Sequence, residues 1–179
     1  MKKLCVFCGS ADGFSPIYLE MARHLGEMMA KNNVGLVYGG ASIGVMGAIA
    51  DAVLENGGVV IGVIPKTLIS YEIAHKNLTE LHIVEDMHQR KKMMYDRSDA
   101  FLSLPGGMGT LDEMFEILTW SQLKLHNKPC FIYNFMGFYD SLLAYLHHSH
   151  KEGFIKEQHL DLLTEILDHE KLLKVVTSL

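Results

Sequence analysis

Asp99-Ala100-Phe101-Leu102-Ser103-Leu104, followed by Pro105-Gly106-Gly107-Met108-Gly109-Thr110 and then Leu111-Asp112-Glu113-Met114-Phe115-Glu116, is the stretch from which the fold reads most directly. The first six residues form an apolar run of strand length. The next six turn the chain. Their three glycines let the backbone approach a ligand closely, and Thr110 can cap a following helix or bond an oxygen. From Leu111 to Lys124 the pattern is helical, with acidic residues in its first turn and a half. A helix start offers N–H groups without intrahelical partners and the positive end of the dipole, which together suit a phosphate. Glu113 and Glu116, three apart, share a helix face. A phosphate cradle beside two carboxylates points to chemistry on a nucleotide or a sugar phosphate.

Outward from this stretch, short apolar runs alternate with longer amphipathic ones. Lys3 to Cys8 reads as a strand, and Ser15-Pro16 as an N-cap followed by a proline at the first helical position. Ile17 to Lys31 carries Leu19, Ala22, Leu25, Met28 and Met29 near helical spacing. Val34 to Tyr38 is a strand, followed by Gly39-Gly40-Ala41-Ser42-Ile43-Gly44. Val45 to Glu55 is a small-residue helix able to pack close to a sheet, ended at Asn56-Gly57-Gly58. Val59 to Ile64 is a strand stopped by Pro65. Lys66 to Glu80 has no clear period and reads as a loop with a short helical piece. Leu81 to Val84 is a short strand, and Asp86 to Arg97 a polar, basic helix. Pro129 to Tyr133 (strand) and Phe138 to His150 (helix) continue the alternation. The tail from Ile155 holds a short helix, a strand at Leu163 to Leu167 and a closing helix from His169.

This alternation predicts an α/β fold: a Rossmann-like, doubly wound parallel sheet in three layers, with helices on both faces and residues 1–179 as a single domain. Ligands bind such sheets at the carboxyl ends of the strands. Three glycine-bearing loops lie there, at Gly9-Ser10, Gly39 to Gly47 and Gly106 to Thr110, and are expected to line one crevice.

Composition narrows the possibilities. The formal charge of −5 leaves no basic footprint, so nucleic acid is not an expected partner. No run is long and apolar enough to span a bilayer, and the apolar start ends at Gly9, as a strand would, so a cytoplasmic protein without a membrane partner is expected. The three cysteines argue against a disulfide framework. Cys5 and Cys8 have C-x-x-C spacing, but residues three apart in a strand face opposite sides, so the thiols should not meet. Ten histidines are present without H-E-x-x-H or a comparable ligand set, so no metal site is expected. The Gly39 to Gly47 loop lacks G-x-G-x-x-G, and Val63-Ile64-Pro65 stands where a ribose-binding carboxylate would, which excludes the usual NAD fingerprint. Neither a G-x-x-x-x-G-K-[ST] loop nor a G-x-S-x-G elbow occurs.

Met87-His88-Gln89-Arg90-Lys91-Lys92-Met93-Met94 sits just before the phosphate-loop strand. Arg90 is thereby able to reach the same crevice, where a guanidinium binds phosphate or carboxylate bidentately. Met114, Phe115 and Trp120 read as core or dimer surface. At this point the chain resembles the LONELY GUY (LOG) family of cytokinin riboside 5′-monophosphate phosphoribohydrolases, many of which carry the older label of possible lysine decarboxylase. The signature P-G-G-x-G-T-x-x-E is met by Pro105 to Glu113, M-H-x-R-K-x-x-M by Met87 to Met94, G-S by Gly9-Ser10, and G-x-M-G by Gly44 to Gly47. Order and spacing fit from about Cys5 to Asn134. Ala41, Ala11 and Val45 depart from the family's commoner glycine, serine and leucine.

The resemblance implies hydrolysis of the N-glycosidic bond of an adenine-type nucleoside 5′-monophosphate, plain or N6-prenylated, to free base and ribose 5-phosphate. It implies no organic cofactor and a homodimer. By position, Arg90 and Glu113 match the family's catalytic pair. Gly106, Gly107, Gly109 and Thr110 match its phosphate-binding turn. Ser10, Met87, Lys91 and Glu116 match residues lining the nucleotide pocket, and Gly44 opens the matching glycine loop. Two other readings stand beside it. One is a nucleotide or molybdenum-cofactor carrier of the same fold without catalysis. The other is a lysine decarboxylase, for which no Schiff-base lysine is singled out.

Overall fold

A computed structural model of the chain describes residues 1–69 and 73–179. Ser70, Tyr71 and Glu72, in the loop expected after the third strand, lie outside the described residues. Among the described residues one parallel sheet is built from seven strands: β1 (Lys3–Phe7), β2 (Gly35–Tyr38), β3 (Val60–Pro65), β4 (Glu80–Val84), β5 (Ala100–Ser103), β6 (Cys130–Tyr133) and β7 (Leu163–Ile166). Their order is β4-β3-β2-β1-β5-β6-β7, and every ladder is parallel. The helices are α1 (Ile17–Lys31), α2 (Gly44–Glu55), α3 (Met87–Asp96), α4 (Met108–Gln122), α5 (Asp140–Lys151), α6 (Glu157–Leu160) and α7 (His169–Ser178). No helix among the described residues is long and apolar enough to cross a membrane.

The period-2 alternation of β1 divides the core. Leu4, Val6 and Cys8 pack with the buried residues of α1, α2 and α7 on one face, while Cys5 and Phe7 pack with those of α3 and α4 and with Tyr139, just before α5, on the other. The fold is thus doubly wound and Rossmann-like. Cys5 and Cys8 lie in different clusters, as their spacing required, and both are buried free thiols. Burial is the main cause that pushes both thiols up, so they stay protonated. Burying a Leu or Ile side chain completely contributes roughly 1.5–3 kcal/mol. An exposed ion pair such as Lys174–Glu170 contributes about 0–1 kcal/mol. The two apolar layers, rather than the surface charges, therefore hold the sheet between its helices.

Most boundaries differ from the sequence expectation by one to three residues, and at three of them the shift changes a residue's role. The helix after the glycine turn begins at Met108 rather than Leu111, so Gly109 and Thr110 lie in its first turn. Its N-cap is Gly107 and has no side-chain hydrogen bond, so Thr110 is not the cap. The buried Thr110 side chain packs against Gly106 instead. Pro16, not Ser15, holds the N-cap position of α1, and its carbonyl accepts from the N–H groups of Leu19 and Glu20. Pro65 is the last residue of β3 rather than a stop before its end, and it lies in register with Val84.

The loop after β5 is fixed from behind by α5. The Tyr139 hydroxyl donates to the Leu104 carbonyl at 2.6 Å in a buried contact, and the Tyr139 N–H donates to Asn134 Oδ1 at 2.7 Å. Burial raises the pKa of the Tyr139 hydroxyl well above the ordinary phenol value, so it remains a donor throughout the working pH range. The Asn134 amide also donates to Asp140 and Glu165, tying the end of β6 to α5 and β7. Tyr139→Phe is expected to lower stability by about 1–2 kcal/mol, since it removes one buried hydrogen bond and strands a carbonyl. A urea titration reads this as a lower midpoint at constant slope. An unchanged midpoint would mean that Leu104 is held by something else.

Candidate active site

β1 lies between β2 and β5, and the chain leaves β1 and β5 in opposite directions. After β1 it passes to the α1 and α2 face; after β5 it passes to the α4 face. The two departing loops diverge and leave a crevice at the carboxyl ends of the strands. Backbone hydrogen bonds draw the loops together at its floor. Leu104 N–H donates to Phe7 O at 2.9 Å, Gly9 N–H to Pro105 O at 3.3 Å and Met46 N–H to Gly9 O at 3.1 Å. Such an approach leaves no room for side chains. A Cβ on Gly44, whose φ is 66°, would strike the Ser10 backbone, and one on Gly106 would strike Thr110 and Gly9.

Two parts of the site result. The first is a cavity of about 310 Å³ lined by Gly9, Ser10, Tyr18, Gly106, Gly107 and Phe138 among others. The start of α4 opens at its edge, with Gly107 and Gly109 exposed. A Cβ at Gly107 or Gly109 would meet no heavy atom within 4 Å, so packing within the chain does not demand glycine at either place. Both stand at a helix start, which is rich in N–H groups and carries the positive end of the dipole.

The second part lies further along α4, where α3 runs beside it. Arg90 and Glu113 are 4% and 8% exposed, and Arg90 Nε stands 4.0 Å from Glu113 Oε1. Arg90 Nη2 donates to the Gly39 carbonyl at 3.1 Å, and Nη1 reaches Met87 Sδ at 3.8 Å. Next to them, Lys91 Nζ lies 3.2 Å from Asp112 Oδ2 and 3.0 Å from Glu116 Oε2. Burial alone would lower the Lys91 pKa, but Glu116 and Asp112 outweigh it and hold the ammonium above its ordinary value. The Glu113 carboxylate is close enough to the end of β1 to add to the upward shift of Cys8. Asp86 caps α3 by accepting from Gln89 N–H at 2.8 Å, which fixes the turn that presents Met87, Arg90 and Lys91 to α4.

The expected residues therefore fall into two groups. Ser10, Gly44, Gly106, Gly107, Gly109 and Thr110 build the crevice loops, and Arg90, Lys91, Glu113 and Glu116 form a charged cluster with Met87 against Arg90. Arg90 and Glu113 do not line the 310 Å³ cavity itself. The two groups share α4: from Gly107 to Glu113 is six residues, roughly 9 Å along a helix axis. Helical side chains lean toward the N-terminus, so the Glu113 carboxylate lies nearer to the crevice than its own Cα. Sequence reasoning missed Gly39 as the acceptor for Arg90. A glycine at a strand end was the only signal, and it did not name a partner.

The family model described as possible lysine decarboxylase matches residues 46–176. A cytokinin riboside 5′-monophosphate phosphoribohydrolase of Rhodococcoides fascians is 50% identical over 155 residues, which cover 86% of this chain and 78% of that protein. The phosphoribohydrolase LOG1 of Arabidopsis thaliana is 50% identical over 154 residues, 86% of this chain and 72% of its own. LOG3 of the same plant is 43% identical over 173 residues, 97% and 80%. Among solved structures, a molybdenum cofactor binding protein from Rippkaea orientalis aligns with a TM-score of 0.73 at 20% identity, covering 99% of this chain and 97% of that one. The molybdenum cofactor carrier protein of Chlamydomonas reinhardtii aligns with a TM-score of 0.73 at 19% identity, covering 99% and 96%. At such identities these structures speak for the fold alone. The family model and the curated relatives together place the chain in the LONELY GUY family, the group described as possible lysine decarboxylases.

Proposed function

We propose that the protein hydrolyses the N-glycosidic bond of adenine-type nucleoside 5′-monophosphates, adenosine monophosphate or its N6-prenylated forms, to free base and ribose 5-phosphate. The observation that carries this reading is the buried Arg90–Glu113 pair, held at 4.0 Å on the flank of the helix whose start opens on the glycine-lined crevice. The relatives' names support the substrate class.

The chemistry follows from the spacing. The 5′-phosphate binds at the start of α4, against the N–H groups of the Gly106–Thr110 turn. The ribose then extends toward Glu113. As the base departs, C1′ and the ring oxygen take on oxocarbenium character, which a carboxylate stabilises. Glu113 also orients the water that attacks C1′. Arg90 stands on the base side of the sugar, away from the phosphate turn, where its positive charge meets the negative charge developing on the leaving base. Lys91 and Glu116 hold α3 against α4 at the edge of the pocket. Ser10 and Met87 complete the nucleotide's walls. No cofactor enters this scheme.

We further propose that the protein is a cytoplasmic homodimer. A 400 Å³ hollow, lined by Phe115, Leu118, Leu143, Leu146 and Leu162, and the 88%-exposed Phe154 nearby favour association through the α4 and α5 face. The three buried free thiols suit a reducing compartment.

Three outcomes test the reading. Glu113→Gln should keep the fold and lower the release of adenine from adenosine monophosphate by about 10²–10³-fold, followed by chromatography of the free base. Release at the wild-type rate would remove Glu113 from the mechanism. Adenosine, which lacks the phosphate, should be cleaved with a kcat/KM at least about 100-fold lower, because two charge-assisted hydrogen bonds of about 1.5 kcal/mol each are lost. Equal cleavage of nucleoside and nucleotide would place the phosphate elsewhere. Light scattering should give a mass about twice the 20.1 kDa of one chain; a single-chain mass would refute the dimer.

A further inference from the structure

The segment that follows β3 turns back onto the loop between β2 and α2. His75 N–H donates to the Gly40 carbonyl at 2.9 Å, and Ala41 and Ala74 form an antiparallel bridge. Ser42 donates twice to the Ile73 carbonyl, from N–H at 3.0 Å and from Oγ at 2.6 Å. Ile73 itself has φ 47°, an unfavourable value for a β-branched residue.

The His75 side chain accounts for how this return is held. It is 6% exposed. Nδ1 accepts from the Asn77 N–H at 3.2 Å, so in the neutral ring the proton sits on Nε2. Nε2 in turn donates to Asp51 Oδ1 at 2.9 Å. Asp51 belongs to α2, the helix that the β2–α2 loop leads into. The imidazole therefore ties the returning segment to α2, and the backbone of that segment clamps Gly40, Ala41 and Ser42 between them. The neighbouring residue, Gly39, supplies the carbonyl that accepts from Arg90 Nη2. A Cβ on Gly39 would collide with that same nitrogen and lie 2.9 Å from Met46 Sδ, so guanidinium and loop fit together without slack.

We propose that His75 is a positioning residue for Arg90: with Asp51 it fixes Gly39-Gly40, and the Gly39 carbonyl fixes the guanidinium beside Glu113. This rests on the reading of Arg90 and Glu113 as the hydrolytic pair. Neither Asp51 nor His75 lines the 310 Å³ cavity at the start of α4. Their effect passes through one backbone carbonyl, so it falls on the geometry of the reaction and not on phosphate capture at the start of α4.

Steady-state kinetics with adenosine monophosphate separate these possibilities. His75→Ala and Asp51→Ala should lower kcat roughly 10- to 100-fold with little change in KM, the loss expected when a reacting group is misplaced by about 1 Å. Asp51→Asn retains an acceptor for Nε2 and should recover most of what Asp51→Ala loses. In an Arg90→Lys background, His75→Ala should cause little further loss, because the effect ends at Arg90. A loss of the same size in both backgrounds, or a lower melting temperature with kcat intact, would overturn the proposal.

A second readout does not depend on turnover. Proton exchange at the Arg90 Nε–H, assigned in nitrogen-15 spectra by its absence in Arg90→Lys, should be slow in the wild type and in Asp51→Asn. It should be at least about tenfold faster in His75→Ala and Asp51→Ala, as expected when a local contact that holds a group closed is released. Should His75→Ala fail to fold, the half-exposed Asp51 site carries the same comparison. Unchanged exchange in these variants sinks the positioning role even if hydrolysis is confirmed. Faster exchange in them, together with no release of adenine by the wild type, retains the clamp and sinks only the hydrolytic reading.

Discussion

The guanidinium of Arg90 and the carboxylate of Glu113 are both almost excluded from water, on two different helices. Removing a charge from water costs several kcal/mol even after relaxation, and the attraction of its partner offsets this only in a tightly held geometry. The surrounding structure supplies that geometry. The Asp86 cap sets where α3 starts, and Lys91 bridges α3 to two carboxylates of α4. Gly39 offers a carbonyl from the far side. Without a partner, either charge would face a penalty of about 3–5 kcal/mol. Such a pair is poor evidence of stability, since apolar residues would fill the same space at less cost. Retaining it makes sense where the charges act on something that enters the crevice.

Charge placement along α4 addresses a difficulty that the sequence raises. Asp112, Glu113 and Glu116 sit on the same helix that is asked to receive a phosphate, and like charges repel. The fold separates them. The anion is assigned to the exposed glycines at the helix start, where the dipole is positive, and the carboxylates begin only beyond them, at Asp112. Arg90 and Lys91 then stand against the carboxylates from α3. The substrate proposed here has the same polarity, an anionic tail at one end and a sugar that becomes cationic at the other. One helix thus presents opposite electrostatic surroundings to the two ends of one molecule.

The sheet was legible because strands buried on both faces are nearly continuously apolar, so runs such as Phe101 to Leu104, interrupted only by Ser103, stand out from the amphipathic helices between them. The opposite facing of Cys5 and Cys8 followed from strand periodicity alone. The start of α3 was read one residue early, at Asp86, which the structure makes the cap of the helix rather than its first residue. The start of α4 was not legible, because Gly107 caps it without a side chain and the glycines that signal a turn also tolerate a first helical turn. Within the site, the motif named Arg90 and Glu113, but nothing in the order of residues revealed that Gly39 joins them. The His75–Asp51 contact was equally silent: its partners are 24 positions apart, and one lies in a segment without periodicity. Contacts made through backbone carbonyls leave little trace in side-chain patterns.

The same architecture occurs in proteins that bind the molybdenum cofactor at 19–20% identity, so the crevice cannot by itself specify hydrolysis. A doubly wound sheet with a glycine turn at its switch point provides a place for an anion, and many chemistries can be attached to that place. What distinguishes a catalyst from a carrier must then reside in groups that a carrier does not need. Holding a phosphate requires N–H groups and a helix start; it does not require a carboxylate buried beside it, which would weaken the binding of an anion. Glu113 is therefore the residue hardest to explain by binding alone. Under the proposed hydrolysis a positive charge develops on the sugar; the same carboxylate would then be favourable, and its unfavourable effect on the bound ground state would work in the same direction as its stabilisation of the transition state.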